Sequence, residues 1–539
     1  MAEITCRRFG ATLTDDQVVS LLRPSFRSLH DPYLYEGMDR AAKRLAEAVQ
    51  KREPVVVYGD YDVDGTTATA LLVDSLAALG VDAQWRIPHR TADGYGLSDR
   101  GVEIIRECAG SLVIVLDCGV TAVEQIAALT SEGREVIVLD HHEPGPQLPE
   151  ALALLDAKRP DGGYPFPGLS AVGVAFKLLQ ALCDVLGIPP GALLLRALDL
   201  VAVGTAADIV PILDENRVLM RYGLRQLERN PRPGLRALMN VARLTGRKLT
   251  TASIVFGIAP RINAAGRMGS AERAVRLLLS RDEGEAMALA LELNGINRQR
   301  QTLDQQVLDA ARAEAEVQVK AGARALVLAH RDWHPGIIGI VASRLVEEFY
   351  VPTVMICAQS PLGRGSGRSV DGFDLHGALK ACAHMLVAFG GHVKAAGLTI
   401  EPERISAFRD AFQQVAAERL SDEMLRPRLS LDAEVELREV NLDLVAAVER
   451  LGPFGPENMR PVLVSRRVRA ISDPVVLKGA HLRAEVEQDG AVRGIIGFNF
   501  AWAAPLLDGP VEIAYVAEED RWQGRSRLQL RLKAIRPSE

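Results

Sequence analysis

The fold of this chain is decided by the stretch Val55-Val56-Val57-Tyr58-Gly59-Asp60-Tyr61-Asp62-Val63-Asp64-Gly65. Its β-branched residues predict a buried parallel strand, which ends in three alternating carboxylates and a glycine before a helix predicted over 66–79. Ligands bind at the carboxyl ends of strands in open α/β sheets, and like charges this close repel unless a cation neutralises them. The stretch therefore indicates a metal site, with a solvated turn as the plain alternative, since Asp and Gly are ordinary turn residues.

Two more predicted strands end in the same way. The apolar run 112–116 leads into Asp117, and the run 136–139 leads into Asp140-His141-His142. Helical segments separate the three strands, which predicts a doubly wound parallel sheet whose carboxyl edge gathers these side chains. A further acid, Asp208, follows a helix of small apolar residues. An isolated acid in such a position is more often a helix cap or a surface residue. The small apolar residues that precede Asp208, however, predict that it is buried near the same edge of the sheet.

The whole chain has the size and composition of a multi-domain soluble protein. Its 539 residues, 48% of them hydrophobic and 24% charged, predict roughly three or four domains. The formal net charge of −6 does not exclude nucleic acid as a partner, because binding depends on local basic patches. The six cysteines are scattered, and neither a signal peptide nor an apolar run of bilayer length is present. These features predict a cytoplasmic protein without structural zinc.

Changes of pattern along the chain predict five segments. A lead-in precedes a first α/β domain, and long amphipathic helices then connect it to a second α/β domain. Alternating short strands at the end predict a small β-barrel of the oligonucleotide-binding (OB) type. The predicted bounds are 1–37, 38–270, 271–320, 321–425 and 426–539.

Two stretches outside the strand ends carry basic residues. Residues 261–268 are predicted to form a basic loop of small residues, for which a solvated turn is the plain alternative. Residues 363–369, Gly-Arg-Gly-Ser-Gly-Arg-Ser, are predicted to form a loop whose free amides, arginines and hydroxyls suit a phosphate. The second stretch lacks the Lys-Ser/Thr ending of an ATP-binding loop, and a flexible linker is its alternative.

These motifs together resemble the DHH phosphoesterase superfamily, which takes its name from the triplet at 140–142, and more narrowly its RecJ family of single-stranded-DNA-specific exonucleases. The likeness covers nearly the whole chain. It implies an α/β fold with a parallel-sheet DHH domain, long bridging helices, a second α/β DHH-associated domain and a C-terminal OB-like β-barrel. The motifs that carry it lie at 59–65, 117–119, 140–142, 204–208, 333–336 and 390–392.

The resemblance implies a 5′→3′ exonuclease that degrades single-stranded DNA to 5′-mononucleotides in DNA repair and recombination. It also implies phosphodiester hydrolysis with two divalent cations, Mn²⁺ or Mg²⁺, which the oxygen-rich ligand set suits. Asp140 would support its neighbours, His142 would face the scissile phosphate, and Arg267 would stabilise charge near it. The implied metal ligands are Asp62, Asp64, Asp117, His141 and Asp208.

For the substrate, the resemblance implies a pocket for the 5′ end of the strand. Two arginines and a serine would hold the terminal phosphate, and a tyrosine would stack on a base. The implied substrate-binding residues are Arg90, Tyr95, Ser366, Arg368 and His392. The protein would act as a monomer, away from membranes, with a helicase and a single-strand-binding protein as partners. Tyr58 stands where many DHH proteins carry a histidine, so no ligand is expected there.

Other interpretations stay open. A DHH phosphodiesterase of short oligonucleotides or cyclic dinucleotides resembles only the two α/β domains, and the β-rich end argues against it. A non-catalytic DNA-binding scaffold would have lost its metal ligands, whereas all the expected ligands are present. A pyrophosphatase would not need the added β-domain. One departure from the family pattern is the stretch 452–461, which lacks the usual glycine-asparagine-proline turn.

Overall fold

The computed structural model describes residues 2–9, 14, 21–90, 93–94, 96–359, 361–522 and 525–538. The chain forms two compact units. The first comprises Met1–Ile262, Ala271–Ala290 and Leu429–Glu539, and the second comprises Asn263–Ser270 and Leu291–Arg428. None of the helices in these described ranges has the length and hydropathy that crossing a bilayer requires.

The first unit contains the predicted parallel sheet. Its strands are β1 (Val55–Gly59), β2 (Ala83–Arg86), β3 (Leu112–Leu116), β4 (Glu135–Leu139) and β5 (Ala153–Leu155). They pair in the order β2-β1-β3-β4-β5, and every pair is parallel. β1 and β3 are apolar and buried along their whole length, as expected when helices cover both faces of a sheet. From β1 the chain adds β2 on one side and then crosses to add β3, β4 and β5 on the other. The strand order therefore reverses between β1 and β3, and such sheets bind ligands at the point of reversal.

The helix after β1 begins earlier than predicted. It starts at Val63 because the Asp62 carboxylate accepts a hydrogen bond from the Gly65 amide at 3.0 Å and caps the first turn. Asp64 therefore lies inside the helix rather than before it. The helices up to residue 241 are α1 (Ala2–Phe9), α2 (Met38–Lys51), α3 (Val63–Ala78), α4 (Asp99–Arg106), α5 (Val123–Ser131), α6 (Ala171–Val185), α7 (Gly191–Ala207), α8 (Asp214–Arg229) and α9 (Pro233–Val241).

The basic stretch at 261–268, predicted as a loop, is helical. Its alanines favour a helix, and the chain reaches it through a π-helical turn at Ile254–Ile258. The predicted long amphipathic helices follow at once. The helices in this part of the chain are α10 (Thr251–Ser253), α11 (Ala259–Met268), α12 (Glu272–Leu279) and α13 (Glu283–Lys320).

The second unit contains a mixed sheet with helices α14 (Ile338–Phe349), α15 (Leu375–Ala381) and α16 (Ile405–Arg419). Its strands are β6 (Leu326–His330), β7 (Thr353–Cys357), β8 (Gly363–Arg368), β9 (Ala388–Gly391) and β10 (Ala395–Ile400), in the order β6-β7-β8-β10-β9. The loop predicted at 363–369 is wrong, since residues 363–368 form β8. Its glycines permit close packing instead: a Cβ at Gly365 would lie 2.7 Å from the Leu398 side chain.

The C-terminal part of the first unit is the predicted OB-type barrel, in which α17 (Leu442–Glu449) lies between the first two strands. Its strands are β11 (Ala433–Glu434), β12 (Leu463–Ala470), β13 (Val475–Leu477), β14 (His481–Gln488), β15 (Ala491–Gly497), β16 (Val511–Trp522) and β17 (Arg525–Pro537). The order β12-β16-β17-β15-β14 closes on itself because β14 also pairs with β12. The strand β11 is only two residues long and pairs with β12.

Candidate metal centre

The carboxyl edge of the first sheet brings the five implied metal ligands together. Asp117 and His141 follow β3 and β4, Asp208 follows α7, and Asp62 and Asp64 lie at the start of α3. Candidate ligand atoms fall into three overlapping groups, within each of which they lie no more than 4.8 Å apart. These groups are Asp60-Asp62-Asp117, Asp64-His141-Asp208 and Asp117-His141-His142.

Backbone geometry fixes two of these acids. The carboxylate of Asp64 accepts hydrogen bonds from the first amides of α6, at 2.6 Å from Ala171 and 3.0 Å from Val172. A helix N-terminus stabilises negative charge, so this carboxylate is held in one orientation. Asp117 has a φ of +61°, a left-handed backbone conformation that few residues with a Cβ adopt and in which Asp is enriched.

Asp140 binds its neighbours rather than facing the ligand cluster. Its buried carboxylate accepts hydrogen bonds from the amides of His141 at 2.8 Å, His142 at 3.2 Å and Val120 at 2.9 Å. It also lies 2.7 Å from Nδ1 of the His142 ring. Burial alone would raise the pKa of Asp140, but the His142 hydrogen bond and the nearby imidazoles lower it to about 2. The carboxylate therefore stays charged and orients both histidines.

The His141 ring is suited to bind a cation. Its Nε2 lies 3.2 Å from Oδ1 of Asp117. Burial, and then the adjacent His142, lower the pKa of His141 to about 4, so the ring is neutral near pH 7 and its lone pair is available.

The acids of the cluster repel one another. Burial first, and then the charge of Asp62, raise the pKa of Asp60 to about 8 and that of Asp64 to about 7. The same two causes raise the pKa of Asp117 well above its usual value. Ionising all of these acids would place more negative charge here than their surroundings neutralise, and this arrangement favours a bound cation.

Two buried carboxylate oxygen atoms provide a test of whether a cation fits the ligand cluster. Oδ1 of Asp60 and Oδ2 of Asp208 are buried and have no hydrogen-bond partner among the described residues. Leaving a buried polar atom unpaired costs free energy, and coordination to a metal removes that cost. Carboxylate oxygens with imidazole nitrogen form a donor set that suits Mn²⁺ or Mg²⁺. Asp60 was missed as a candidate ligand, although its alternation with Asp62 and Asp64 was a usable signal.

Asp140→Asn is expected to slow hydrolysis by about 10- to 100-fold, because the amide cannot accept all the hydrogen bonds that orient the two histidines. The kcat would be measured at saturating Mn²⁺ on single-stranded DNA, the substrate that the resemblance implies. Asp82→Asn, which changes an exposed acid elsewhere in the first unit, is the matched control and should leave kcat unchanged. A normal kcat for the Asp140 variant would contradict the orienting role.

The implied substrate residues fall in both units. In the first, the Arg90 guanidinium lies over the Tyr61 ring, 4.9 Å from its centroid. In the second, Ser366 and Arg368 come together on β8, where Nη1 of Arg368 donates to Oγ of Ser366 at 3.0 Å. Tyr95 lies outside the described residues.

The first turn of α14 runs beside this pair. A Cβ at Gly339 would lie 2.9 Å from the Ser366 hydroxyl and 3.1 Å from the Arg368 guanidinium. Arg267 reaches the same end of the helix, where its Nη1 donates to the Gly336 carbonyl at 3.2 Å. His392 lies in the turn between β9 and β10, with its amide bonded to the Ala395 carbonyl at 2.8 Å.

A parallel α/β sheet that ends in this acidic and imidazole cluster, with Asp-His-His after its fourth strand, defines a protein of the DHH class. The family model of the DHH family, N-terminal domain, matches residues 54–205. The DHHA1 domain matches residues 322–418, and the RecJ OB domain matches residues 431–534.

Sequence similarity to known relatives identifies the family within the DHH class. The chain is 36% identical over 518 residues to the single-stranded-DNA-specific exonuclease RecJ of Bacillus subtilis, covering 95% of this chain but only 64% of the relative. It is 37% identical over 512 residues to the RecJ of Thermus thermophilus, covering 94% of this chain and 72% of the relative. The chain belongs to the RecJ family.

Solved structures share the fold. The crystal structure of Thermus thermophilus RecJ in complex with Mn²⁺ superposes with a TM-score of 0.85 at 31% identity, covering all of this chain and 76% of that one. The structure of the same protein with Mg²⁺ gives a TM-score of 0.79 at 30% identity, covering 100% and 74%.

Proposed function

We propose that this chain is a metal-dependent exonuclease that degrades single-stranded DNA from its 5′ end to 5′-mononucleotides. The observation that carries the proposal is the cluster of buried carboxylates and imidazole at the carboxyl edge of the first sheet. Membership of the RecJ family supports the exonuclease activity, the single-stranded substrate and the use of Mn²⁺ or Mg²⁺. The 5′ polarity is supported by the arginine and serine residues suited to a terminal phosphate.

Asp62, Asp64, Asp117, His141 and Asp208 would hold the cations, with Asp60 as a further candidate. Bound divalent cations would supply activation of water and stabilisation of the leaving oxygen in phosphodiester hydrolysis. Asp140 holds Nδ1 of His142, which leads us to assign the Nε2 side of that ring to an oxygen of the scissile phosphate. Arg267 would add positive charge as the phosphate becomes more negative.

Ser366 and Arg368 would bind the terminal 5′-phosphate. A hydroxyl and a guanidinium in contact on one strand supply charge-assisted hydrogen bonds. Gly339 keeps the neighbouring helix close to both groups, because any larger residue would collide with them. Backbone amides at a helix N-terminus favour phosphate as well. Arg90, Tyr95 and His392 complete the proposed contacts with the strand.

The alternatives fit less well. A phosphodiesterase of short oligonucleotides would gain nothing from the closed barrel at 463–537, whose fold commonly binds single strands. A scaffold would have no need of a cluster of mutually repelling buried acids. We further propose a cytoplasmic monomer that works with a helicase and a single-strand-binding protein in repair and recombination. The domain boundaries at about residues 37, 270, 320 and 425 remain part of the proposal.

The test uses single-stranded DNA labelled at its 5′ nucleotide, with Mn²⁺. Labelled mononucleotide should appear early, whereas a 3′ label should stay on long fragments. Arg368→Gln should lower kcat/KM about 10- to 100-fold for a 5′-phosphorylated strand and much less for a 5′-hydroxyl strand, because the lost contact is a charge-assisted hydrogen bond. Arg404→Gln, which removes a partly exposed arginine of the same unit, is the control. Early loss of a 3′ label instead would refute the proposed polarity.

A further inference from the structure

The loop at 450–458, between α17 and β12, packs against the turn that follows Asp208. Within the first unit, the Ile212 amide donates a 2.9 Å hydrogen bond to the Pro456 carbonyl. Gly455 lies against the buried Ile212 side chain so closely that a Cβ at Gly455 would overlap Cγ1 of the isoleucine. More than two hundred residues separate these two segments in the sequence.

Arg217 adds a second attachment between the loop and α8. Its guanidinium donates to three consecutive carbonyls of the loop, those of Arg450 at 3.2 Å, Leu451 at 3.2 Å and Gly452 at 3.1 Å. The residue is only 4% exposed. Burial, and then the charge of Arg221, lower its pKa to about 10, so the guanidinium is still protonated at neutral pH. A buried charge is costly, and here the loop carbonyls are the groups that solvate it.

The loop itself is internally fixed. The side-chain amide of Asn458 donates to the carbonyls of Leu451 at 3.0 Å and Pro453 at 2.9 Å. The backbones of Gly455 and Asn458 bond to each other twice, each time at 3.0 Å. A loop with these bonds can act as a support rather than as a flexible connection.

The turn that follows the proposed ligand Asp208, and that the 450–458 loop contacts, has a strained backbone. Ile209, the residue after Asp208, has a φ of +62°, and its side chain is 68% exposed. A β-branched residue in this region of φ is an outlier that persists only where the surrounding structure fixes the backbone. Asn216 fixes the turn from α8 by donating to the Pro211 carbonyl at 2.9 Å, and Pro456 fixes it from the loop.

We propose that the 450–458 loop positions the metal ligand Asp208, and that it thereby couples the C-terminal barrel module energetically to the metal centre. The inference rests on the assignment of Asp208 as a ligand under the proposed function. The loop acts through Ile212 and Arg217 and touches neither cation nor substrate, so its residues are positioning residues. Energetic coupling of this kind is reciprocal: cation binding must also stabilise the loop.

The first test uses the unmodified chain. Amide hydrogen exchange would be followed by mass spectrometry with and without saturating Mn²⁺. Exchange in the 450–458 loop should slow at least about fivefold, the lower end of typical coupling between sites. Peptides from 405–419 in the second unit, which form α16, provide the reference and should not change. Unchanged exchange in the 450–458 loop, while calorimetry shows that Mn²⁺ binds, would overturn the proposal.

The second test uses Gly455→Ala. Its Cβ should displace Ile212 and weaken Mn²⁺ binding about tenfold, as measured by titration of free Mn²⁺ with electron paramagnetic resonance. Gly509→Ala is the matched control, since no atom lies within 4 Å of a Cβ there. The double variant Gly455→Ala/Ile212→Ala removes the overlapping group and should recover part of the lost affinity. Wild-type Mn²⁺ affinity in a folded Gly455→Ala protein would overturn the proposal.

If Gly455→Ala does not fold, Arg217→Lys provides the same measurement, because it keeps the charge but cannot reach three carbonyls. A normal Mn²⁺ affinity in folded Arg217→Lys protein would likewise overturn the proposal. These readouts are separate from nuclease activity. Tight, loop-coupled Mn²⁺ binding without DNA cleavage would refute the proposed function alone, whereas DNA cleavage with uncoupled Mn²⁺ binding would refute this inference alone.

Discussion

Replacing Asp117 by asparagine is expected to abolish metal-dependent hydrolysis and, at the same time, to make the metal-free protein more stable. Asp117 contributes ligand atoms to two of the three groups at the site. An amide oxygen carries no charge and binds Mn²⁺ far more weakly than a carboxylate does. The rate of single-stranded DNA cleavage should fall at least about 10³-fold, a loss of roughly 4 kcal/mol of transition-state stabilisation.

The gain in stability has a separate cause. Burial, and then the charges of Asp62 and Asp64, raise the pKa of Asp117 on folding. At neutral pH such a carboxyl must either take up a proton or keep a buried charge among other acids, and both alternatives cost folding free energy. The neutral amide avoids this cost, so Asp117→Asn should be more stable by about 1–2 kcal/mol in EDTA.

Thermal melts in EDTA and in Mn²⁺ would separate the two effects. The unmodified chain should gain stability from Mn²⁺, whereas the variant should start higher and gain little. Asp82→Asn is again the control, since this acid is exposed and precedes β2, at the amino edge of the sheet. If Asp117→Asn were less stable than the unmodified chain in EDTA, strong repulsion within the cluster would be ruled out.

The sheet and most of its site could be predicted because both depend on local patterns. Apolar strands that end in acids must place those acids on one edge of a parallel sheet, which is why Asp117 and His141 meet. Asp60 is not among the predicted ligands, although its alternation with Asp62 and Asp64 was a usable signal. The start of α3 at Val63 differs from the predicted start at 66 because the Asp62 carboxylate caps the helix.

Features that depend on tertiary packing could not be predicted. The glycines at 363–367 are predicted to lie in a phosphate-binding loop, yet they lie in β8, where the side chains of Leu398 and Leu375 leave little room for a Cβ at Gly365 and Gly367. The same limit applies to the 450–458 loop, whose contacts with Arg217 and Ile212 lie far away in the sequence. Hydrophobic periodicity carries no information about either packing contact.

Glu215→Gln is expected to destabilise the first unit by about 3–5 kcal/mol, because it leaves a buried ammonium group without its counter-ion. Lys177 on α6 and Glu215 on α8 form a 2.9 Å ion pair whose side chains are both fully buried. Glu215 also accepts hydrogen bonds from the Tyr164 hydroxyl at 2.5 Å and from the His30 amide at 2.9 Å. Burial lowers the pKa of Lys177 even though Glu215 opposes that shift, which indicates how strongly the lysine depends on this partner.

Urea and thermal unfolding would measure the loss, with Asp214→Asn, a neighbouring and partly exposed acid, as the control. The double variant Lys177→Met/Glu215→Leu should lose less than Glu215→Gln alone, because apolar groups of similar size need no counter-ion. The effect should reach the metal centre, since the first amides of α6 hold the Asp64 carboxylate. Glu215→Gln should therefore also need more Mn²⁺ for half-maximal stabilisation. A Glu215→Gln protein as stable as the unmodified chain would show that the buried pair is not what holds α6 against α8.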